Sequence, residues 1–235
     1  APPRPGPPRH GAEMPWTASA GPGHDGDRQP GEYTVPTDDV DVFVRTERLT
    51  LRRFTAADVE NLVALDSDPR VMRFLTGEPT PRAVIENEVL PKILRDYRLG
   101  PAGRWAAVER ATGSFLGWLS LQPPPDGSVT DVELGYRLNA SAWGRGLATE
   151  GARALIDKGF AELGVQRVWA ETMAVNTASR RVMEKAGLRY VRTFHVHFDD
   201  PLPGTEHGEV EYELRRADWA ARRAGTAEPT ADAAG

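Results

Sequence analysis

The sequence predicts a mixed α/β (α+β) domain: a central, mostly antiparallel sheet of about seven strands flanked by helices. Two observations carry this expectation. Between residues 41 and 220 the apolar residues switch repeatedly between period two and the three-and-four spacing of an amphipathic helix. The segments so marked follow the order strand, helices, three strands, helix, strand, helix, two strands, which suits helices packed on one sheet. Composition agrees: of 235 residues, 40% are hydrophobic and 27% charged, near the globular average, and the length suits one domain plus tails.

Each element has its own signal. Residues 1–40 are expected to be a disordered tail, because Ala1 to Pro36 holds nine of the 20 prolines and six of the 23 glycines and has no Leu, Ile or Phe. Such a stretch buries too little surface to offset its ordering entropy; Trp16 is its one large apolar residue. In Thr46 to Phe54, Leu49, Leu51 and Arg53 share a strand face, and Thr55 with Asp58 resembles a capping box opening a helix through Leu65. A less regular helical region from Pro69 to Leu99 is interrupted at Pro79, Pro81 and Pro91. Trp105 to Glu109 and Phe115 to Leu121 form a hairpin about Ala111 to Ser114, and Val132 to Leu138 adds a third strand in an antiparallel meander. A helix then opens near Gly146, buries Ala148, Ala152, Leu155, Ile156, Phe160 and Leu163 on one face, and stops at Gly164. Arg167 to Thr172 is a strand. Thr177 to Ala186 is a helix with Asn176 as N-cap and Gly187 beyond its end; Leu188 to Phe198 and Glu209 to Arg215 are the last strands. The folded domain spans residues 41–220, and residues 221–235, rich in Ala, Gly and Thr, are expected to be a second tail.

Several functions are excluded early. Lys plus Arg number 29 against 34 for Asp plus Glu, a net charge of -5, so no dominant grip on nucleic acid is indicated. The absence of cysteine excludes disulfides, thiolate zinc sites, iron–sulfur ligation and a cysteine nucleophile. No apolar run approaches the roughly 18 residues that cross a bilayer, and a cytoplasmic protein is expected. His195 and His197 share a strand side and His207 follows, but spacing alone does not make them metal ligands, and no metal is expected.

The informative segment is Glu133 to Glu150, where a strand leads through Gly144 and Gly146 into a helix N-terminus. Glycines let the backbone approach a ligand, and first-turn N–H groups lack helical partners, so the turn suits a phosphate or pyrophosphate. No Lys-Ser or Lys-Thr follows Gly146, so it is not a P-loop, and Thr149 replaces the third glycine of a dinucleotide fingerprint. Read alone, Gly144 and Gly146 serve equally as a plain tight connection.

Three ordered motifs add specificity: Glu133-Leu-Gly-Tyr136 with Trp143-Gly-Arg-Gly-Leu-Ala-Thr-Glu150, Asn176-Thr-Ala-Ser179-Arg, and Glu184-Lys-Ala-Gly-Leu188. Together they resemble the GNAT acetyltransferase superfamily and, within it, the RimJ/RimL-type N-acetyltransferases, over about Arg45 to Trp219. The superfamily's acetyl-CoA motif falls on Trp143, Gly146 and Ala148; tryptophan departs from the general pattern and is familiar in that branch. The resemblance implies that backbone groups of Gly144, Arg145, Gly146, Leu147, Ala148 and Thr149 hold the pyrophosphate of acetyl-CoA. It implies further that Tyr136, Arg137 and Leu138 pair with the pantetheine arm, and that Asn176 bonds near the thiol, a role that coexists with capping.

The implied reaction is direct transfer of acetyl to a primary amine, with Glu133 as base and no covalent intermediate. The acid is less clear. Many relatives carry a tyrosine seven residues after the asparagine, but Met183 stands there, leaving Ser179 as the hydroxyl on that helix. An α-amine is about 10 to 20% neutral at pH 7 against about 0.04% for lysine, which favours a protein or peptide N-terminus. A small-molecule amine such as an amino sugar or antibiotic, and a silent CoA-binding sensor of the same fold, are the alternatives, and a homodimer stays open. Phe194 to His207 is the expected substrate-selecting segment, made acidic by Asp199, Asp200, Glu206 and Glu209.

Overall fold

The computed structural model describes residues 41–124 and 128–226; the expectations for residues 1–40 and for 227–235 lie outside them. Eight strands form one sheet: β1 (Val42–Arg45), β2 (Leu49–Arg52), β3 (Gly103–Glu109), β4 (Phe115–Gln122), β5 (Asp131–Leu138), β6 (Arg167–Met173), β7 (Arg189–Phe194) and β8 (Glu209–Arg215). Their order is β1-β2-β3-β4-β5-β6-β8-β7. Every pair is antiparallel except β5 with β6. The strand beyond the expected seven is β1, a four-residue segment too short for alternation to reveal; it folds back where the Leu49 N–H donates to Thr46 Oγ1 at 2.9 Å.

Helices lie on both faces. On one side are α1 (Val59–Asp66), α2 (Pro69–Met72), α3 (Arg82–Val84) and α4 (Leu90–Asp96). On the other are α5 (Leu147–Glu162) and α6 (Thr177–Ala186), with α7 (Arg216–Thr226) closing the chain. Alternation sets what each face buries. Leu49, Leu51, Trp105, Leu119, Leu121, Val132 and Leu134 point into the core shared with α5 and α6, while Ala106 and Trp118 join Phe54, Leu62, Leu65 and Ile85 beneath α1 to α4.

Four expectations need correction. Arg53 does not share the buried face of Leu49 and Leu51; it lies past the end of β2, over the Tyr97 ring and paired with Asp41 at 3.1 Å. Pro91 does not interrupt the helix. The segment Ile85–Val89 widens to a π-turn, in which the Leu90 N–H reaches the Ile85 carbonyl, and the proline, which lacks an N–H, follows in the first turn of α4. The strand expected to reach Phe198 stops at Phe194, because its partner Glu209 is the first residue of β8. Finally, α7 continues to Thr226, into the expected tail. Trp219 packs on Phe160 and donates to Asp157 at 2.6 Å, and Arg222 Nη1 donates to the Gly187 carbonyl at 2.7 Å.

One feature of the sheet positions the site. Strands β5 and β6 pair only at Asp131 with Arg167, Val132 with Val168 and Glu133 with Trp169, after which Leu134 to Leu138 are paired with β4 alone. Arg167 fastens the joined end, contacting Asp131, Glu211 and Glu213 at 3.2, 2.5 and 2.6 Å. Beyond it the strands part.

Candidate active site

The glycine turn stands at the end of β5. Gly144 and Gly146 have φ of +72° and +77°, a left-handed backbone that glycine adopts without a Cβ penalty, and a Cβ at Gly144 meets nothing within 4 Å. The Trp143 indole donates to the Leu138 carbonyl at 2.8 Å, pinning the turn to the strand with the ring half exposed. Leu147 is buried and anchors the helix start. The Glu150 N–H donates to the Gly146 carbonyl, so the N–H groups of Leu147, Ala148 and Thr149 precede the first intrahelical bond and stay available to an anion.

Two cations flank this turn. Arg48 Nε and backbone N–H donate to Glu150 at 2.6 and 2.8 Å, and Arg48 Nη1 donates to the Arg145 carbonyl at 2.9 Å. Arg48 Nη2 lies 3.7 Å from where a Cβ on Gly146 would stand. Arg145 pairs with Glu109. Hydrogen bonds from Thr46 and Arg48 hold the Glu150 carboxyl below the usual carboxylate range against the opposing effect of burial.

Tyr136 and α6 meet across the parted strands. The Tyr136 hydroxyl lies 2.9 Å from Ser179 Oγ and 3.0 Å from the Ser179 carbonyl; burial raises its pKa. Asn176 caps α6, accepting from the Ser179 N–H at 3.3 Å while its amide donates to Thr172 Oγ1 at 3.0 Å. Met183 is in the core. Arg137 turns to the opposite face, where it forms an ion pair with Asp66 of α1 at 2.6 Å, and Leu138 is buried.

Glu133 occupies the last paired rung before the split. Burial pushes its carboxyl up to about 7, the neighbouring Glu171 charge adds to the rise, and Arg104 opposes it. Glu209 is likewise pushed up to about 7, by burial and then by Glu171. Position predicts this grouping: β6 puts Trp169, Glu171 and Met173 on one face, opposite Glu213, Glu211 and Glu209 of β8. Such carboxylates near neutrality mark functional sites with a stated cause.

Of the sequence-predicted residues, the fold brings Tyr136, Asn176 and Ser179 together on the α6 face beside the split, places Glu133 on the opposite face of β5 with Arg137, and sets Trp143 to Thr149 beyond the end of that strand. Sequence reasoning missed Arg48, Arg104 and Glu171. The signal for Glu171 was a lone acid on β6, on the face that alternation shares with Trp169 and Met173. His195, His197 and His207 do not cluster. The first contacts the Glu206 carbonyl at 3.3 Å, the second approaches Asp199 at 3.9 Å and the third Glu206 at 3.6 Å. Among the described residues no three His, Cys, Asp or Glu gather to hold a metal, and no helix is long and apolar enough to cross a membrane.

Known proteins share this arrangement. Residues 48–189 match the family model of the acetyltransferase (GNAT) domain. An FsC-acetyl coenzyme A-N(2)-transacetylase of Aspergillus fumigatus is 37% identical over 185 residues, 75% of this chain and 77% of the relative. Among solved structures, a GNAT-family acetyltransferase from Bacillus anthracis superposes with a TM-score of 0.62 at 24% identity, covering 74% of this chain and 98% of the other. RimL, an alpha-N-protein acetyltransferase for ribosomal L7/L12 solved with coenzyme A, gives 0.63 at 19% identity over 74% and 98%. A family model spanning well over half of the chain, a relative at this identity, and a split sheet beside an open helix mouth converge on one assignment: the chain belongs to the GNAT acetyltransferases and is an acetyl-CoA-dependent N-acetyltransferase.

Proposed function

We propose that the acceptor is a low-pKa, α-type primary amine and that Glu133 is its base. The observation that carries this reading is the carboxyl of Glu133 at the last rung before β5 and β6 part, titrating near 7. A base poised there deprotonates an α-amine near 7.7 to 8.0 at modest cost, whereas a lysine near 10.4 costs several kcal/mol more. Two sources of such an amine were expected from the sequence. The RimJ/RimL-type reading, a protein N-terminus, is supported by RimL at 19% identity, a likeness of fold. The relative at 37% identity is named for transfer to an N(2) nitrogen of FsC, which favours the small-molecule acceptor.

In this reading the N–H groups of Leu147, Ala148 and Thr149, with the turn from Trp143 to Gly146, hold the pyrophosphate. The free edge of β5 at Tyr136, Arg137 and Leu138 receives the pantetheine arm as an added strand. The fit rests on two features: a turn with no side chain over Gly144, and a strand edge that β6 leaves unpaired. The amine nitrogen attacks the thioester carbon, the C–S bond breaks, Glu133 takes the amine proton, and Ser179, hydrogen-bonded to Tyr136, protonates the departing thiolate. Thiol release scored across α-amine peptides, amino acids, amino sugars and lysine side chains tests it. Faster turnover of lysine side chains than of matched α-amines would overturn the assignment, and the absence of thiol release with any amine would favour the silent CoA-binding alternative.

A further inference from the structure

Among the described residues, Arg104 has no hydrogen-bond partner for its side-chain donors. It lies on β3, and its guanidinium carbon sits 4.1 Å from the centre of the Trp118 ring. Its Nε is shut away from solvent with no hydrogen bond, and none of its side-chain nitrogens donates to a described residue. Arg137, also over Trp118, has its carboxylate in Asp66. Burial and the Arg137 charge draw the Arg104 pKa down to about 10, which still leaves it charged at neutral pH. A buried guanidinium nitrogen without a partner is costly, and while Arg137 Nε shares that state, Arg104 among the described residues also lacks a paired carboxylate.

The sheet places that guanidinium beside the acceptor's path. Arg104 pairs across the ladder with Ser120, and Ser120 with Gly135, two residues beyond Glu133 on β5. Gly135 is closely covered there: a Cβ on it would stand 2.7 Å from Ser120 Oγ and 3.4 Å from the Trp118 ring, so only a glycine lets the Ser120 hydroxyl lie against β5. Ser120 is buried, with its hydroxyl facing Gly135. Across the split stand Glu171 and Glu209. The face therefore offers acids for an ammonium group and, one step along the sheet, a planar fork of unused donors with a hydroxyl beside it.

We infer that Arg104, with Ser120 beside it on the same face of the sheet, binds a carboxylate carried by the acceptor close to its reacting amine, so that the substrate class is amino acids and amines of amino-acid type. The inference rests on the proposed α-amine reading and narrows it: a free carboxylate raises the pKa of the amine beside it, and pairing that carboxylate with Arg104 offsets the rise. A guanidinium binds a carboxylate through two parallel N–H···O bonds, which fixes orientation as well as position, and stacking on Trp118 holds the fork flat in advance. With the carboxylate so held, the amine beside it faces Glu133. A protein N-terminus, whose first carbonyl is an amide, lacks the charge that this site is built to meet.

The test compares amino acids with their amides, using alanine, leucine and lysine as probes, by kcat/KM for thiol release in the wild type, Arg104→Met and Arg104→Lys. The ratio of acid to amide in each protein, divided between wild type and variant, cancels the intrinsic reactivity of the two amines. Charge-assisted hydrogen bonds of this kind correspond to a loss of roughly 10- to 100-fold in that ratio for Arg104→Met. Arg104→Lys keeps the charge without the fork and should lose less. Calorimetric binding of the N-acetyl amino acid to the CoA complex should weaken in parallel. An unchanged ratio in both variants overturns the inference, as does turnover of amides with none of the acids. Either result leaves the α-amine reading intact, whereas failure of every α-amine defeats that reading itself.

Discussion

Replacing Glu133 by glutamine removes the base while keeping its shape, and the consequence for rate follows from its titration. With a carboxyl at about 7, roughly 9% is ionised at pH 6 and about 91% at pH 8, so the base alone contributes about a tenfold rise in kcat/KM across that interval. The amine's own ionisation adds a further rise that both proteins share. Dividing each profile by the neutral fraction of the amine should leave a step centred near 7 in the wild type and a flat line in Glu133→Gln. At pH 8 the variant should be slower by about 100-fold, within the usual range for a positioned base. The same group carries a stability term of definite sign. Its folded pKa is raised above the ordinary 4.5, so the associated stability is fully present below that value and is lost as pH rises through about 7. A shift of this size corresponds to at most about 3 kcal/mol, reduced to about 2 by water in the open cleft. Thermal melts from pH 4.5 to 8 should therefore fall less steeply in Glu133→Gln. Identical normalised rate profiles would remove Glu133 from the proton transfer, and a flat melting curve in the wild type would refute the buried-carboxylate account.

Further outcomes follow from other residues. Gly146→Asp puts a Cβ at a φ of +77° and a negative charge where phosphates are expected; acetyl-CoA affinity measured by calorimetry should fall by about 100-fold or more in a protein that still folds. Asp66→Asn leaves Arg137 without its carboxylate and should cost about 3 kcal/mol by urea denaturation, with a cost near zero refuting the buried pair. Gly151→Ala brings a Cβ to 2.8 Å from Leu119 Cδ2 and 3.3 Å from Leu49 Cδ1, and the overpacking should lower stability by about 1 to 3 kcal/mol. Asn176→Ala removes the cap of α6 at a cost of about 1 kcal/mol; an additional loss of turnover beyond that of other destabilised variants would give this amide a role near the thiol.

Period and punctuation made most of the fold legible. Asn176 and Gly187 bracket α6 in sequence as in space, and the apolar spacing from Leu147 to Phe160 marks α5 without ambiguity. What escaped detection was set by contacts distant in sequence. The strand β1 exists because it pairs with β2, and α7 extends because Trp219 finds Phe160 and Asp157 about 60 residues earlier. At the site, Glu133 and the glycine turn were readable because they share one short stretch of chain. Glu171 and Arg104 were not, since only the sheet brings β3 and β6 to the same face as β5. The shift of Pro91 into a helix start depended on a local π-turn that no propensity scale encodes.

The three rungs joining β5 to β6 have a mechanical meaning. They act as the rivet of a pair of scissors, with β1 to β5 as one blade and β6 to β8 as the other, and Arg167 as the washer beneath the head. A thioester arm paired along the free edge of β5 would complete the hydrogen bonding that the fold omits and so would stiffen that edge. Amide exchange along Leu134 to Leu138, slowed by the bound donor and fast without it, would report that stiffening.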